Sequence, residues 1–488
     1  MSQTEPKLFS HFIWKIAFML IPLLACKKGE PIANQPPETR IFVEKINLSA
    51  ENRLNSIVKL YWSGEDQDGY VAGYELSQDA QQWTFVERQD STFRFDLKAG
   101  SDTTDIDFWV RAIDDQGLAD PSPAYLLVPI KNSPPVAKLD SIRPIPDVVQ
   151  GVFSVLWTIS DLDGAETLDS IFLKLNDGPW YAIEATETFA TFSPTASFQT
   201  GPQPANVYQG TAARLLPAPI EGLKVGEENV LYLRARDLTG AFSKADTSNS
   251  FMVKEQTGDL LIIDAHNSTT PDGVYFPILD QIYPNYDYLN LRDNFPPFWD
   301  PTFGVMLRQY DKVFWYSDGT QHAVLGQKQL LEVAANQVQL YLNQGGKMLT
   351  TTKFPSTFID PDVGFDSPIF GFSPMDSLSS SPGQARIVRS AIIIPVGDFS
   401  MQLDTLVNNA FITGADPFYA KNNLDNLLLA EITSTGGWVG PSTVCGSSRF
   451  TNGEINQIFC SIELHLLTGR PEALNIFFDF VFNDALDW

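Results

Sequence analysis

The chain has 488 residues, 43% of them hydrophobic and 12% aromatic, so it is long and apolar enough for about three packed domains. Its formal net charge of −26 repels the phosphate backbone of nucleic acids, which argues against nucleic acid as a partner. The same charge attracts divalent cations.

Residues 1–25 have the layout of an export signal, with Lys7 and Lys15 before an apolar stretch over residues 16–24. That stretch is shorter than the roughly 20 residues that a membrane-crossing helix needs. It ends just before Cys26, and the arrangement resembles the lipobox of bacterial lipoproteins. The resemblance implies a diacylglyceryl anchor on Cys26 and a membrane as partner. An ordinary signal peptide with an incidental Cys, or an uncleaved anchor, is the alternative.

Residues 26–40 contain three prolines among polar side chains, which predicts an extended tether. Lys27 follows Cys26. In the lipoproteins that the signal resembles, Asp at this position favours the inner membrane. The resemblance therefore implies an outer-membrane lipoprotein, on the cell surface or on the periplasmic face.

An internal repeat over residues 41–131 and 132–256 predicts two related β-sandwiches. Each copy has a strand-like run that ends in a Trp, Trp62 or Trp157, and an Asp-x-Asp-Gly turn follows. The second copy is longer, and its insertion is most simply placed in residues 186–219.

A second shared element, Arg-Ala-x-Asp-x-x-Gly, stands at residues 111–117 and 234–240. Together these patterns resemble fibronectin type III and immunoglobulin-like modules of bacterial surface proteins. The resemblance implies that each Trp packs between two sheets, with the Arg-Ala strand across from it. Residues 132–135, Asn-Ser-Pro-Pro, predict a stiff joint between the copies.

The carboxylates of the two turns are a candidate metal site. Asp66 and Asp68, and likewise Asp161 and Asp163, could supply oxygen ligands to Ca²⁺. An EF-hand loop also needs a Glu six residues after its Gly, and only the first copy has one, at Glu75. The other interpretation is a β-turn in which the Asp side chains bond backbone amides. We favour the turn, with weak Ca²⁺ binding left open and no other cofactor predicted.

Residues 257–488 change to an α/β pattern. Residues 259–264 are a continuous apolar run of the kind found in buried parallel strands, and residues 310–319 predict a second strand. An amphipathic helix over residues 325–342 leads through a Gly pair into a strand-like run at 347–352. This strand, helix, strand order predicts a doubly wound, flavodoxin-like sheet.

Two patterns in this region, Tyr-Asp-x-Val-x-Trp-Tyr-x-Asp-Gly and Tyr-Leu-x-x-Gly-Gly-x-x-Leu, resemble class I glutamine-amidotransferase-like domains. The resemblance implies a Cys nucleophile after the strand at Met348–Thr352 and a distant His–Glu pair. Residues 351–354 are Thr, Thr, Lys and Phe, so the thiolate is missing. This favours a domain kept for binding or architecture.

We assign no catalytic residue. His266, beside Asp264, is a candidate ligand site because it follows the first predicted strand, at the end where α/β folds place ligands. His465 with Glu472 is the nearest candidate pair for acid–base work, but a lone His in a predicted core strand is more often structural.

Residues 355–383 predict a long loop over the same edge of the sheet. Its aromatic side chains are either ligand contacts or packing that holds the loop down; they are Phe365, Phe370 and Phe372.

Cys445 and Cys460 flank Asn452-Gly453, a dipeptide typical of two-residue hairpin turns. A regular hairpin places the two Cys opposite each other, which predicts a disulfide in an oxidising compartment. A bulge would spoil this register, and metal binding by two lone Cys is the other interpretation.

The function predicted from these patterns is binding. We expect an envelope lipoprotein whose two immunoglobulin/fibronectin-like sandwiches present a non-catalytic α/β domain to a glycan, a peptide or an envelope partner. The alternatives are a secreted hydrolase acting on polysaccharide or peptide, and a calcium-dependent adhesion module.

Overall fold

The computed structural model describes residues 33–43, 54–97, 101–196, 198–292, 295–296, 298–355, 367–378, 385–422 and 426–487. The predicted signal peptide, the lipidation site at Cys26 and Phe365 lie outside these residues. The chain forms two compact units: residues up to Ser133 with 161–167 and 238–240, and residues 134–160, 168–237 and 241–488. Within the described ranges, no helix combines the length and the apolar character needed to cross a membrane.

The first module is a sandwich of two sheets. Its strands, numbered along the chain, are β1 Glu38–Val43, β2 Leu54–Asn55, β3 Ile57–Glu65, β4 Val71–Ser77, β5 Thr84–Val86, β6 Asp90–Arg94, β7 Thr103–Asp114 and β8 Ala124–Lys131. One sheet has the order β1-β3-β6 and the other the order β2-β8-β7-β4-β5. Trp62 lies in the core, and its indole N–H donates to the carbonyl of Arg88 at 2.8 Å. The large ring therefore packs with its single polar atom satisfied.

The second module repeats this plan with more strands. They are β9 Val136–Leu139, β10 Val148–Val149, β11 Phe153–Ser160, β12 Leu168–Leu175, β13 Tyr181–Glu184, β14 Phe189–Pro194, β15 Gly201–Gln209, β16 Arg214–Leu215, β17 Ile220–Val225, β18 Glu228–Asn229, β19 Leu231–Asp237, β20 Asp246–Thr247 and β21 Phe251–Val253. One sheet has the order β13-β12-β19-β20, and the main path of the other is β10-β21-β17-β15-β14-β11-β9. Trp157 is buried, and its indole N–H donates to the carbonyl of Glu187 at 2.8 Å. The added residues form β15 to β17, and β15 and β17 lie in one sheet between β14 and β21.

The chain enters both modules in the same way, through Asn-x-Pro-Pro. The N–H of Gln35 donates to the carboxylate of Asp68 at 3.1 Å, and the N–H of Ser133 donates to that of Asp163 at 2.6 Å. The second Asp of each Asp-x-Asp-Gly turn therefore fixes the entry segment of its module. The first strand begins inside the predicted tether of residues 26–40, so in the structure the module starts earlier than expected.

The C-terminal region has a mixed sheet of eleven strands, whose main path is β23-β22-β24-β25-β34-β33-β32-β28-β29, and a separate pair, β27-β30. The strands are β22 Leu260–Ala265, β23 Tyr286–Asn290, β24 Lys312–Ser317, β25 Lys347–Thr351, β26 Met375–Leu378, β27 Arg386–Ile387, β28 Ile392–Pro395, β29 Leu406–Val407, β30 Ile412–Thr413, β31 Phe418–Ala420, β32 Asn426–Ala430, β33 Thr443–Arg449 and β34 Ile455–Cys460. The described α-helices are α1 Asp272–Ile282, α2 Gly304–Leu307, α3 Leu330–Asn343, α4 Ile369–Phe372 and α5 Pro471–Asp479.

The half of this sheet from β23 to β34 is parallel, and its strands are apolar because both faces are covered. Leu260 and Ile262 of β22 share one core with α1 and α5, whereas Leu261 and Ile263 share the other with α3. The predicted helix over residues 325–342 begins later than expected, at Leu330, because Gly326 and Gln327 have positive φ.

Beyond β34 the sheet continues with antiparallel strands, and the first pair carries the two Cys. Cys445 lies directly opposite Cys460, and the structure joins them in a disulfide. The turn differs from a two-residue hairpin, since the N–H of Phe450 donates to the carbonyl of Glu454. A register shift next to Arg449 compensates, so that the two Cys still meet.

Candidate functional site

Polar side chains converge where the parallel strands end. His266 follows β22, Asp318 follows β24, Lys353 follows β25, and Glu463 follows β34. Because the carboxyl ends of parallel strands lie at one edge of a sheet, these residues come together although they are distant in sequence. We call His266, Glu463 and His465 the strand-end cluster.

The strand-end cluster is compact and mostly shielded from solvent. Nε2 of His266 lies 3.0 Å from Oε1 of Glu463, and these side chains are 11% and 14% exposed. The rings of His266 and His465 are perpendicular, with centroids 5.4 Å apart. One nitrogen or oxygen from each of the three side chains falls within 4.8 Å of the others. Two imidazoles and one carboxylate at these distances can hold a cation or bind a polar group.

Asp264 and Arg292 orient the loop that carries His266. Asp264 is fully buried, accepts the N–H of His266 at 3.0 Å, and forms an ion pair with Arg292. Nε of Arg292 in turn donates to the carbonyl of His266 at 2.9 Å. Burial raises the pKa of Asp264, while its hydrogen bonds and Arg292 act in the opposite direction. These two residues therefore position His266.

Both ring nitrogens of His266 have polar neighbours. Nδ1 lies 2.9 Å from the backbone nitrogen of Ser268 and 3.1 Å from its carbonyl oxygen, so Ser268 can serve either tautomer, and Nε2 lies 3.0 Å from Glu463. Burial alone would lower the pKa of His266, but the bond to Glu463 and the charge of Asp318 outweigh it and raise that pKa.

His465 is held differently. Its backbone N–H donates to the hydroxyl of Tyr275 at 2.9 Å, and its ring is stacked edge-on between those of His266 and Tyr275. Burial lowers the pKa of His465 to about 4, and the neighbouring His266 acts in the same direction. His465 is therefore a neutral imidazole at neutral pH.

A small cavity beside the cluster is lined by both charged and polar groups. Lys353, Asp416, Ser461 and Glu463 contribute to its wall. Burial raises the pKa of Asp416 to about 7, although the bond from the N–H of Phe354 and the charge of Lys353 oppose this shift. Asp416 was not singled out in the sequence.

Thr351 and Thr352 stand where the thiolate is missing, and both hydroxyls are hydrogen-bonded to other groups of the fold. The hydroxyl of Thr351 donates to the carbonyl of Ile462 at 2.6 Å and accepts the N–H of Leu464 at 3.1 Å. The hydroxyl of Thr352 accepts that of Ser317 at 2.8 Å. Both Thr side chains are buried, so neither is placed as a nucleophile.

The carboxylate that meets the histidines is not the expected one. Glu472, predicted to pair with His465, is exposed in the first turn of α5. The neighbour is Glu463, because the chain leaves β34 after Cys460 and forms a 3₁₀ turn at Leu464–Leu466 instead of continuing as a strand. The Glu-x-His pattern directly after a parallel strand was the signal that could have identified it.

The Asp-x-Asp-Gly turns show local bonding. Asp66 accepts the N–H of Asp68 at 3.3 Å, and Asp161 accepts that of Asp163 at 2.9 Å. Glu75 is committed to an ion pair with Arg111, 2.6 Å away. The two bonds from Asp side chains to backbone N–H groups are those of a β-turn.

The aromatic side chains at the described end of the long loop pack inward. Phe372 is buried in the core beneath α3, and Phe370 packs partly against the same core. Both contribute to packing.

No family model matches the chain, and no curated protein matches it. Among solved structures, the chain is similar to fibronectin(III)-like modules of CbhA from Clostridium thermocellum, with 11% identity, a TM-score of 0.17, and 44% of this chain and 95% of the other covered. A two-domain fibronectin type III segment of chicken tenascin shows 11% identity and a TM-score of 0.22, over 44% of this chain and 98% of that segment. A tetra-tandem repeat of a large adhesion protein shows 9% identity and a TM-score of 0.17, over 44% and 49%.

Proposed function

We propose that this protein is an exported envelope lipoprotein whose α/β domain binds a polar ligand, a glycan or a peptide, at the carboxyl edge of its parallel sheet. The observation that carries the proposal is the strand-end cluster beside Thr351 and Thr352, whose hydroxyls are buried and bonded. Hydrogen-bonding groups converge there, whereas Thr351 and Thr352, which stand where an amidotransferase has its Cys, have hydroxyls that are bonded to other groups.

The architecture supports a binding role. The parallel order β23-β22-β24-β25-β34, with helices on both faces, favours a flavodoxin-like, amidotransferase-like domain. The two sandwiches before it act as spacers, each with a closed core of its own. The anchor on Cys26 and the outer-membrane location rest on the sequence of residues 1–27 alone.

The test is a binding array on the full chain in detergent, using envelope and dietary glycans and peptides, with products followed in the same wells. We expect binding without product. Glu463→Gln should weaken it at least tenfold, and Glu472→Gln, which changes an exposed carboxylate nearby, should leave it unchanged. Product formation would favour the hydrolase instead, and equal binding by both variants would place the ligand elsewhere.

The anchor has a separate test. Cells given a clickable fatty acid should label the wild-type chain, and Cys26→Ser should abolish the label. A Cys26→Ser chain that is still labelled would overturn this part of the proposal.

Calcium binding at the Asp-x-Asp-Gly turns is a second candidate. It is favoured by Asp163, which is 4% exposed and whose Oδ1 accepts no hydrogen bond among the described residues. A carboxylate oxygen left buried in this way is costly unless a cation or water meets it.

A further inference from the structure

We propose that His266, Glu463 and His465 together bind one divalent transition-metal ion of the zinc class. The inference deepens the proposed function and rests on it for the location of the ligand site. It follows from the choice of ligand atoms, their spacing and the groups behind them.

The ligand atoms select the metal. Imidazole nitrogen suits zinc and its neighbours in the first transition row, whereas Ca²⁺ and Mg²⁺ prefer oxygen alone. Two His and one Glu form one of the three-residue ligand sets found in zinc sites with an open position. The chain has only four His, and two of them meet here.

The spacing requires little movement. Tetrahedral ligands at about 2.0 Å from zinc lie about 3.3 Å from one another. Nε2 of His266 and Oε1 of Glu463 are 3.0 Å apart, and one atom of each of the three side chains lies within 4.8 Å of the others. Closing the set requires the ligand atoms, at present up to 4.8 Å apart, to approach to about 3.3 Å.

The backbone of Ser268, next to Nδ1 of His266, suits a histidine that binds a metal through Nε2. Metal binding through Nε2 requires the proton on Nδ1, where ligating histidines usually donate to an oxygen. The carbonyl of Ser268 lies 3.1 Å from Nδ1 and can accept it. Ser268 thus offers its N–H to one tautomer and its carbonyl to the other, while Arg292 holds the backbone of His266.

The site would bind its ligand through the metal. Three protein ligands leave a coordination position for water or for an oxygen of a carboxylate or sugar hydroxyl. The nearby carboxylate of Asp318 adds negative charge that favours a cation.

The test measures zinc on the stripped and reloaded full chain, with glycans and peptides absent. We expect one zinc per chain, and affinity at least 100-fold weaker in His266→Gln and in Glu463→Gln. His322→Gln, which removes a histidine elsewhere, should keep wild-type affinity. Cobalt substituted into the wild-type chain should give the visible absorption of a low-coordinate site, which requires no folded variant.

The outcomes separate the two proposals. A reloaded wild-type chain without stoichiometric zinc, or variants that keep wild-type affinity, would overturn the metal site. A chain that binds zinc but no ligand would overturn only the proposed function. Ligand binding that survives in the zinc-free wild-type chain would overturn only the metal-mediated role.

Discussion

The Asp-x-Asp-Gly turns and the strand-end cluster both place acidic side chains next to other polar groups, but they are built in opposite ways. In the turns, Asp66 and Asp161 bond amides two residues away. In the cluster, His266 bonds Glu463 across 197 positions of the sequence. Acidic residues close in sequence thus bond first to their own backbone, whereas Glu463 is brought to its partner by the sheet and bonds to a side chain.

The largest effect is expected from the ion pair that supports the cluster. Arg292→Met leaves the buried carboxylate of Asp264 without its counter-charge, and we expect a loss of about 3–5 kcal/mol in unfolding free energy. Denaturant unfolding at pH 7 measures it. Arg143→Met removes an exposed pair with Asp140 and should leave the midpoint unchanged. If both variants lost the same unfolding free energy, the buried carboxylate of Asp264 would depend on its counter-charge no more than the carboxylate of Asp140 does.

The second effect is a dependence of stability on pH, which arises from the carboxyl group of Asp416. Asp416 binds its proton more tightly when folded, with a pKa of about 7, than when unfolded, near 3.9. Its contribution to stability is therefore full below about pH 4 and lost as pH rises through 7, by up to about 4 kcal/mol. Asp416→Asn should narrow the difference in melting temperature between pH 5 and pH 8. A variant with the wild-type pH profile would contradict the shifted pKa.

The two Asp-x-Asp-Gly turns should differ in how much their second Asp contributes to the stability of the fold. Asp163 is buried and accepts the N–H of Ser133, so Asp163→Ala should cost about 2 kcal/mol by leaving that donor unpaired. Asp68 is exposed, and water can replace it for Gln35, so Asp68→Ala should cost less than about 1 kcal/mol. Thermal unfolding of both variants compares them, and the reverse order would contradict the argument from burial.

The smallest effect is expected from calcium. Millimolar Ca²⁺ should raise the melting temperature of the wild-type chain by a few degrees, as for a weak site. Asp66→Asn combined with Asp161→Asn should remove the shift, with magnesium as the control cation. If the melting temperature is indifferent to Ca²⁺ in both forms, the turns are structural only.

Features with short-range signals could be predicted from the sequence. Trp62 and Trp157 each close a strand-like run in the sequence, and both are core residues with the same indole bond, although their strands continue to Glu65 and Ser160. Cys445 and Cys460 were placed opposite each other from the turn between them, although the turn and a register shift differ from the simple hairpin.

Features that depend on the path of the chain between elements could not be predicted from the sequence. Residues 462–465 alternate like a strand, so His465 was interpreted as part of a core strand and Glu463 was not singled out, yet the chain turns there. The antiparallel extension beyond the Cys hairpin, through β32 and β28 to β29, was also missed, because these strands have five, four and two residues, too short for a clear periodic pattern.

The entry bonds of Gln35 and Ser133 have an evolutionary consequence. Each module holds its own incoming segment through its own turn, so a stretch that begins at Asn-x-Pro-Pro is a self-sufficient cassette for duplication. The two copies have kept this junction while one of them gained β15 to β17 in its middle. Recombination at such a junction would move an entry segment together with the turn that holds it.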